Sequence, residues 1–137
     1  MTAKTFLDTN VVVYLVGEHK AKTARAETLL ETRPTISVQV VNEFINVTTR
    51  KLGLTRLAVY ELAETLMRDC DVVPLTATTL RRAMRIGQRY GFSHWDSLIL
   101  AAAIEADCDV VYSEDMQHGQ QVDGVRVVNP FLEDSAA

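Results

Sequence analysis

The feature that most restricts how this chain can fold is a regular alternation of short β-rich runs with longer segments of helical periodicity. The β-rich runs are too brief for helices, whereas the longer segments place apolar residues three and four positions apart. The runs cover residues 5–7, 35–38, 72–75, 110–112 and 125–128, and the helical segments cover 21–31, 39–52, 56–68, 79–90 and 95–106. This alternation predicts an α/β fold: a three-layer sandwich in which helices flank a central, mostly parallel sheet of four to five strands.

The length and composition predict a single domain that spans residues 1–137 and lies in the cytoplasm. A chain of this size buries about two thirds of its unfolded surface. Hydrophobic residues make up 47% and charged residues 23%, which excludes a disordered or fibrous protein. The longest apolar stretch, residues 98–104, is far shorter than the roughly 20 residues of a membrane span. The first ten residues lack the unbroken apolar core of a secretory signal.

Net charge and cysteine content narrow the possible partners. Fourteen Lys and Arg against eighteen Asp and Glu give a net charge of −4, the opposite of most non-specific nucleic-acid binders. A polyanionic partner therefore needs a local basic patch, or metal ions that neutralise some of the acids. Cys70 and Cys108 are too few for a disulfide framework and lack the spacing of a zinc site, so we expect ordinary buried thiols.

Carboxylates directly follow two of the predicted strands. Asp8 comes after the first β-rich run, and Ser113, Glu114 and Asp115 come after the fourth. Ligands of parallel sheets collect at the carboxyl ends of the strands, where the strand order reverses. Asp8 and Asp115 also suit ordinary roles as turn residues or helix N-caps, and this alternative stays open for each acid alone.

Two further acids lie on predicted helices beside apolar positions. The helix 95–106 is apolar nearly all round, which predicts burial on most sides, and Asp96 lies in its first turn, where a capping box with Ser93 also explains it. Glu43 lies at the edge of an apolar face, where its carboxylate can also simply reach water. If these acids gather with Asp8 and Asp115, they repel one another and take up protons or a cation. Hard divalent cations such as Mg²⁺ prefer such oxygen ligands.

The four acids lie in four segments, in this order: FLDTN at residues 6–10, the lone Glu43, HWDSLI at residues 94–99 and YSEDMQHG at residues 112–119. In order and spacing, these segments resemble the PIN domain, and more narrowly the VapC ribonuclease toxins of prokaryotic type II toxin–antitoxin systems. Each fragment is common by itself, but the ordered set is specific. The resemblance covers essentially the whole chain.

The resemblance implies an endoribonuclease that depends on Mg²⁺ or Mn²⁺. Its catalytic residues and metal ligands would be the four acids Asp8, Glu43, Asp96 and Asp115. Ser113 occupies the position where the family usually carries Thr or Ser near the metal site, and Asn10 is a candidate partner of Asp8. Glu114 matches a variable position and is left out of the ligand set, since neighbouring residues of an extended chain point to opposite sides. The resemblance also implies an RNA substrate, a homodimer and a separate antitoxin protein.

Two basic clusters are candidates for contacts with phosphate groups. One is a stripe of arginines, spaced mainly three and four apart, on the helix 79–90: Arg81, Arg82, Arg85 and Arg89. The other consists of Arg50, Lys51 and Arg56. Arginine binds phosphate through a planar fork of donors. A solvated helix face that balances nearby acids is the alternative for both clusters.

Two other functions compete with the ribonuclease. A haloacid-dehalogenase-like phosphatase uses an Asp after the first strand as its nucleophile and needs a second acid two residues later. That position is Asn10, which cannot donate and accept the required proton. The other competitor is a catalytically silent PIN-fold module that binds RNA or protein, and the presence of all four acids counts against it.

Overall fold

The computed structural model describes residues 3–132, whose framework is a six-stranded sheet. The strands are β1 Thr5–Leu7, β2 Thr35–Ser37, β3 Asp71–Val73, β4 Val110–Tyr112, β5 Gln121–Val122 and β6 Val125–Val128. They lie in the order β3-β2-β1-β4-β6-β5. All neighbours pair in parallel except β5 and β6, which are antiparallel. The predicted α/β fold with a mostly parallel sheet is therefore confirmed.

The sheet has six strands instead of the expected four to five because a hairpin forms at its edge. Asp123 and Gly124 connect β5 to β6 with φ angles of 46° and 87°. Positive φ at both positions is what a tight two-residue hairpin requires. β5 has only two residues, too few to stand out as a β-rich run. The Asp-Gly dipeptide between two valines is the sequence signal that marks it.

Helices connect the successive parallel strands from β1 to β4, as the periodicity predicts. They are α1 Thr9–Val12, α2 Lys20–Leu30, α3 Val38–Leu52, α4 Arg56–Asp69, α5 Ala77–Tyr90 and α6 His94–Glu105, and a 3₁₀ turn at Val13–Val16 follows α1. The five predicted helical segments correspond to α2 through α6, with ends shifted by at most two residues. The predicted strand 35–38 ends one residue early, since Ser37 Oγ accepts from the amide of Val40 at 3.3 Å and caps α3.

The strand order decides which face of the sheet each helix covers. The chain steps from β1 to β2 to β3 in one direction, and then crosses to the other side of β1 to form β4. Because crossovers between parallel strands are right-handed, α1 through α4 cover one face while α5 and α6 cover the other. The strand order therefore reverses between β1 and β4, which is where open sheets of this kind bind ligands.

The core is continuous across the sheet, and α6 lies at its centre. This helix packs against β2, β4, β6 and α5, and all its residues from 97 to 103 are buried, as its apolar circumference predicts. Cys70 and Cys108 are free and buried, which confirms the expectation of ordinary thiols. Among the helices described, none combines the length and the apolar character that a bilayer span requires.

Truncating the centre of α6 is expected to be costly. Leu100 has no exposed surface, so Leu100→Ala leaves a cavity and should lower the free energy of unfolding by about 2–5 kcal/mol. The matched control is Leu57→Ala, because Leu57 is 69% exposed and its loss should cost below about 0.5 kcal/mol. Urea denaturation measures both values, and equal effects would contradict the central position of α6.

Candidate active site

The carboxyl ends of β1 and β4 open into a cavity that all four predicted acids line. Its volume is about 360 Å³, and we refer to it as the acid cavity. The lining residues are Asp8, Thr9, Asn10, Val13, Glu43, Val47, Arg50, Lys51, Asp96 and Asp115. The acids come from four separate places: the end of β1, the middle of α3, the first turn of α6 and the loop after β4. Residues more than 100 positions apart therefore meet where the strand order reverses.

Asp8 is the most enclosed of the four acids, with 6% of its surface exposed. One carboxylate oxygen accepts from the amide of Thr9 at 2.7 Å, so Asp8 also caps α1. Burial raises the pKa of Asp8 to about 6, against the lowering effect of its hydrogen bonds from Ser113 and Thr9. The charges of Asp96 and Glu43 raise this pKa further. Its capping role and its place in the cavity are therefore compatible.

Asp96 experiences the same combination of burial and like charge. It is half-buried, and its amide donates to Ser93 Oγ at 3.1 Å at the start of α6. Burial raises the pKa of Asp96, a hydrogen bond with Ser93 lowers it, and the charges of Asp115 and Glu43 raise it again. Each acid of the cavity is thus within electrostatic range of at least one other, the arrangement that a cation stabilises.

Asn10 and Ser113 both contact the second carboxylate oxygen of Asp8. Ser113 Oγ donates to it at 2.9 Å, and Asn10 Nδ2 donates to it at 3.1 Å. The Ser113 hydroxyl is buried and also accepts from the amide of Met116 at 3.3 Å. Asn10 Oδ1 accepts from the amide of Glu114 at 2.9 Å. These bonds hold Asp8 in one orientation and connect the loops after β1 and β4.

Gln39 is a polar contact of the site that sequence reasoning missed. It is buried one turn before Glu43 on α3, and its Nε2 donates to Glu43 Oε1 at 2.8 Å. The signal was present in the spacing, because side chains four residues apart on a helix are neighbours. Gln39 fixes one oxygen of Glu43, which is itself half-buried.

Glu114 points away from the acid cavity, although it lies between Ser113 and Asp115. Its carboxylate accepts from the hydroxyl of Tyr14 at 2.6 Å and forms an ion pair with Lys22. Asp115, by contrast, is exposed and lines the acid cavity. The chain bends at residues 114–116, directly after β4, so these neighbouring side chains leave it in different directions.

The two basic clusters lie in different places. Arg50 and Lys51, in the last turn of α3, line the acid cavity beside the carboxylates. Of the α5 arginines, Arg82, Arg85 and Arg89 surround a separate cavity with Tyr90 and Asp123. Neither these three nor Arg81 lines the acid cavity. The cations nearest the carboxylates are therefore those of α3.

The donor set suits a hard divalent cation, since it consists of carboxylate oxygens in a partly buried cavity. Burial first, and then the charges of neighbouring acids, raise the pKa values of two of these carboxylates, Asp8 and Asp96. Among residues 3–132, no three His, Cys, Asp or Glu side chains converge tightly enough to hold a metal ion as they stand. An ion shared by the acids would therefore require some of their side chains to turn inward.

The raised pKa of Asp8 predicts how pH affects the metal-free protein. Asp8 is protonated more readily in the folded chain than in the unfolded chain, so its ionisation between pH 3.8 and about 6 favours unfolding. The penalty at neutral pH is roughly 3 kcal/mol at most. In urea denaturation with EDTA, Asp8→Asn should therefore gain stability relative to wild type across this window.

Asp69→Asn is the matched control for this measurement, because Asp69 is exposed at the end of α4, outside the cavity. The stability gain of Asp8→Asn over wild type should rise with pH across this window by more than any change seen for the control. A gain for Asp8→Asn that does not rise beyond that of Asp69→Asn would contradict the raised pKa of Asp8.

Comparisons with known proteins agree with this architecture. The PIN domain family model matches residues 5–121. A search of curated proteins gave no significant match. Among solved structures, VapC20 of Mycobacterium tuberculosis, described as a toxin that cleaves the sarcin–ricin loop, is 24% identical with a TM-score of 0.67, and the match covers 82% of this chain and 90% of that one.

Two complexes are similar as well. A toxin–antitoxin complex from Klebsiella pneumoniae has a TM-score of 0.72 at 17% identity, with 93% of this chain and 98% of the other covered. A VapBC complex from Salmonella typhimurium, bound to DNA, has a TM-score of 0.65 at 19% identity, with 92% and 97% covered. These TM-scores establish a shared fold at identities below 25%, and the family model extends over all four acids. The chain belongs to the PIN domain family.

Proposed function

We propose that this protein is a divalent-metal-dependent endoribonuclease and the toxin of a toxin–antitoxin pair. The proposal rests on one observation: a single cavity, at the point where the strand order of the sheet reverses, is lined by Asp8, Glu43, Asp96 and Asp115. Family membership and the structural similarity to VapC toxins support a nuclease. Carboxylates that face a polyanionic substrate are compatible with binding it only if a cation lies between them.

The proposed ligands of Mg²⁺ or Mn²⁺ are these same four acids. A divalent ion bound there supplies charge neutralisation at the phosphoryl group and a water of lowered pKa. Asn10 and Ser113 hold the carboxylate of Asp8 in place, and Gln39 does the same for Glu43. Because the hydrogen bonds of these three residues already restrict the carboxylates, the carboxylates lose less conformational freedom when an ion binds.

Arg50 and Lys51 are the proposed contacts for the RNA backbone. Both lie on the rim of the acid cavity, so they can bind phosphates that flank the cleaved bond. The arginines of α5 are then candidates for a more distant stretch of RNA. The negative net charge of the chain makes such local basic groups necessary.

The phosphatase alternative is disfavoured by the contacts of Asn10. The amide nitrogen of this side chain donates to Asp8, and its oxygen accepts from the amide of Glu114. A general acid at this position would have to be free to exchange a proton with substrate. Release of phosphate from a small monoester, with RNA intact, would support the phosphatase instead.

An antitoxin and a second copy of the chain are the proposed protein partners. The solved relatives from Klebsiella pneumoniae and Salmonella typhimurium are toxin–antitoxin complexes, which supports the first. Exposed apolar side chains, including Leu57 and Tyr60 on α4 and Leu80 and Met84 on α5, are available for such contacts. We propose a cytoplasmic location for the complex, since its RNA substrates lie there.

Replacing one cavity acid should abolish RNA cleavage. We expect Asp96→Asn to lower the rate on total RNA in Mg²⁺ or Mn²⁺ by at least about 100-fold, because it removes one ligand and its charge. EDTA should abolish cleavage by the wild type, and Mg²⁺ should restore it. Asp69→Asn, an exposed carboxylate outside the cavity, should retain wild-type activity. Cleavage that survives EDTA or Asp96→Asn would contradict the proposal.

The two basic clusters should differ in their effect on RNA affinity. Arg50→Ala combined with Lys51→Ala should weaken binding of an oligoribonucleotide and reduce the slope of log affinity against log salt by about 1–2. Arg85→Ala combined with Arg89→Ala is the matched control on α5, for which we expect a smaller loss with short RNA. Fluorescence anisotropy in Ca²⁺ measures both affinities. A larger loss of affinity for the α5 double variant would place the RNA backbone along α5.

A further inference from the structure

A second cavity, larger than the acid cavity, lies beside it and takes no part in the proposed chemistry. Its volume is about 650 Å³, within the range of small-molecule sites. We refer to it as the side cavity. It lies between the 3₁₀ turn after α1, the loop that leads to α2, and the C-terminal half of α3. Its surface is mainly apolar, with Tyr14, Val16 and Leu52 among its lining residues, and His19 adds a second ring.

The side cavity is continuous with the acid cavity. Asn10, Val13, Val47 and Lys51 line both. Lys51 is therefore the cation at the boundary between an apolar, aromatic space and a cluster of carboxylates. A phosphate near Lys51 would have its attached nucleoside within reach of the side cavity.

A chain of hydrogen bonds ties the polar wall of the side cavity to Asp8. Asn10 links Asp8 to the amide of Glu114, whose carboxylate accepts from Tyr14 and pairs with Lys22. The Lys22 ammonium lies 5.0 Å from the centre of the Tyr14 ring, so this ring is held from two sides. These contacts fix the position of the Tyr14 ring relative to Asp8.

We propose that the side cavity is a nucleoside subsite, which binds the base of a nucleotide adjacent to the phosphodiester cleaved in the acid cavity. Single-stranded RNA is recognised by bases that leave the stack and pack on aromatic and apolar side chains. The side cavity offers such surfaces, and Lys51 provides the positive charge for the phosphate that precedes or follows the base. The inference rests on the proposed ribonuclease function and specifies its substrate: unpaired RNA with a base in this position.

The test fills the cavity without touching the acids. Leu52 lines the side cavity but not the acid cavity, and it is 40% exposed. Leu52→Trp can therefore place a ring in the space that the base would occupy. Leu75→Trp is the matched control, since Leu75 is 38% exposed before α5 and lines neither cavity. His19→Asn removes a ring from the wall of the side cavity. His19 Nδ1 accepts a hydrogen bond from the amide of Lys22 at 3.2 Å at the start of α2, and Asn keeps an acceptor for this bond.

The first readout is binding, which does not depend on catalysis. The probes are a 2′-O-methyl oligoribonucleotide in Ca²⁺ and the same oligonucleotide with one abasic position, scanned along its length. We expect one abasic position to weaken binding to the wild type by about tenfold. Leu52→Trp should bind both probes equally at the weaker level, and His19→Asn should show an intermediate loss. Leu75→Trp should behave as the wild type.

The second readout is cleavage of RNA and of bis(p-nitrophenyl) phosphate, a phosphodiester without a nucleoside, in Mn²⁺. Leu52→Trp should lower kcat/KM on RNA by about tenfold and leave the small diester unchanged. If the wild type cleaves neither substrate, the proposed ribonuclease is wrong, while the binding measurement still decides the subsite. Wild-type behaviour of Leu52→Trp in both assays would overturn the subsite. The subsite would also be overturned if Leu52→Trp still bound RNA but was no longer inhibited by a co-expressed partner protein. That result would assign the side cavity to the partner.

Discussion

The structure depends on one electrostatic constraint: carboxylates that are partly or fully buried must lie close together without a basic side chain paired to each. Asp8 is nearly inaccessible to water, and its pKa is raised to about 6 by burial and by neighbouring acids. A fold that tolerates this arrangement has to compensate it elsewhere. Here the compensation consists of hydrogen bonds from Thr9, Ser113 and Asn10, to which a cation would add under the proposed function.

The hydrogen bonds around Asp8 also unite the parts of the molecule that meet at the site. Asn10 belongs to α1, yet it contacts the hydroxyl of Ser113 and the amide of Glu114 after β4. It lines the acid cavity and the side cavity together. One amide side chain therefore aligns Asp8, the loop that carries Asp115 and the wall of the proposed nucleoside subsite. Its position two residues after Asp8 gives it this reach, since both lie at the tight entry into α1.

Much of the fold followed from local patterns in the sequence. The period of apolar residues identified α2 through α6, because a helix that covers a sheet must repeat its apolar face every three to four residues. The hairpin partner β5 escaped, since two residues carry no period, and the end of β2 shifted, because the cap formed by Ser37 decided it. The four acids were identified by their order and spacing, and the structure brings them into one cavity. The roles of ligands and catalysts remain proposals.

By itself, the sequence determined the class of fold, the buried character of α6 and which acids follow strands or begin helices, because these properties depend on neighbours along the chain. Tertiary structure alone decided that Glu114 turns to Tyr14 and Lys22, and that the cations beside the acids come from α3 and not from α5. It also created the side cavity, whose walls come from separate segments. The physical reason is that cavities and charge pairs are set by distances between elements, and those distances are fixed only when the sheet assembles and the helices pack on its two faces.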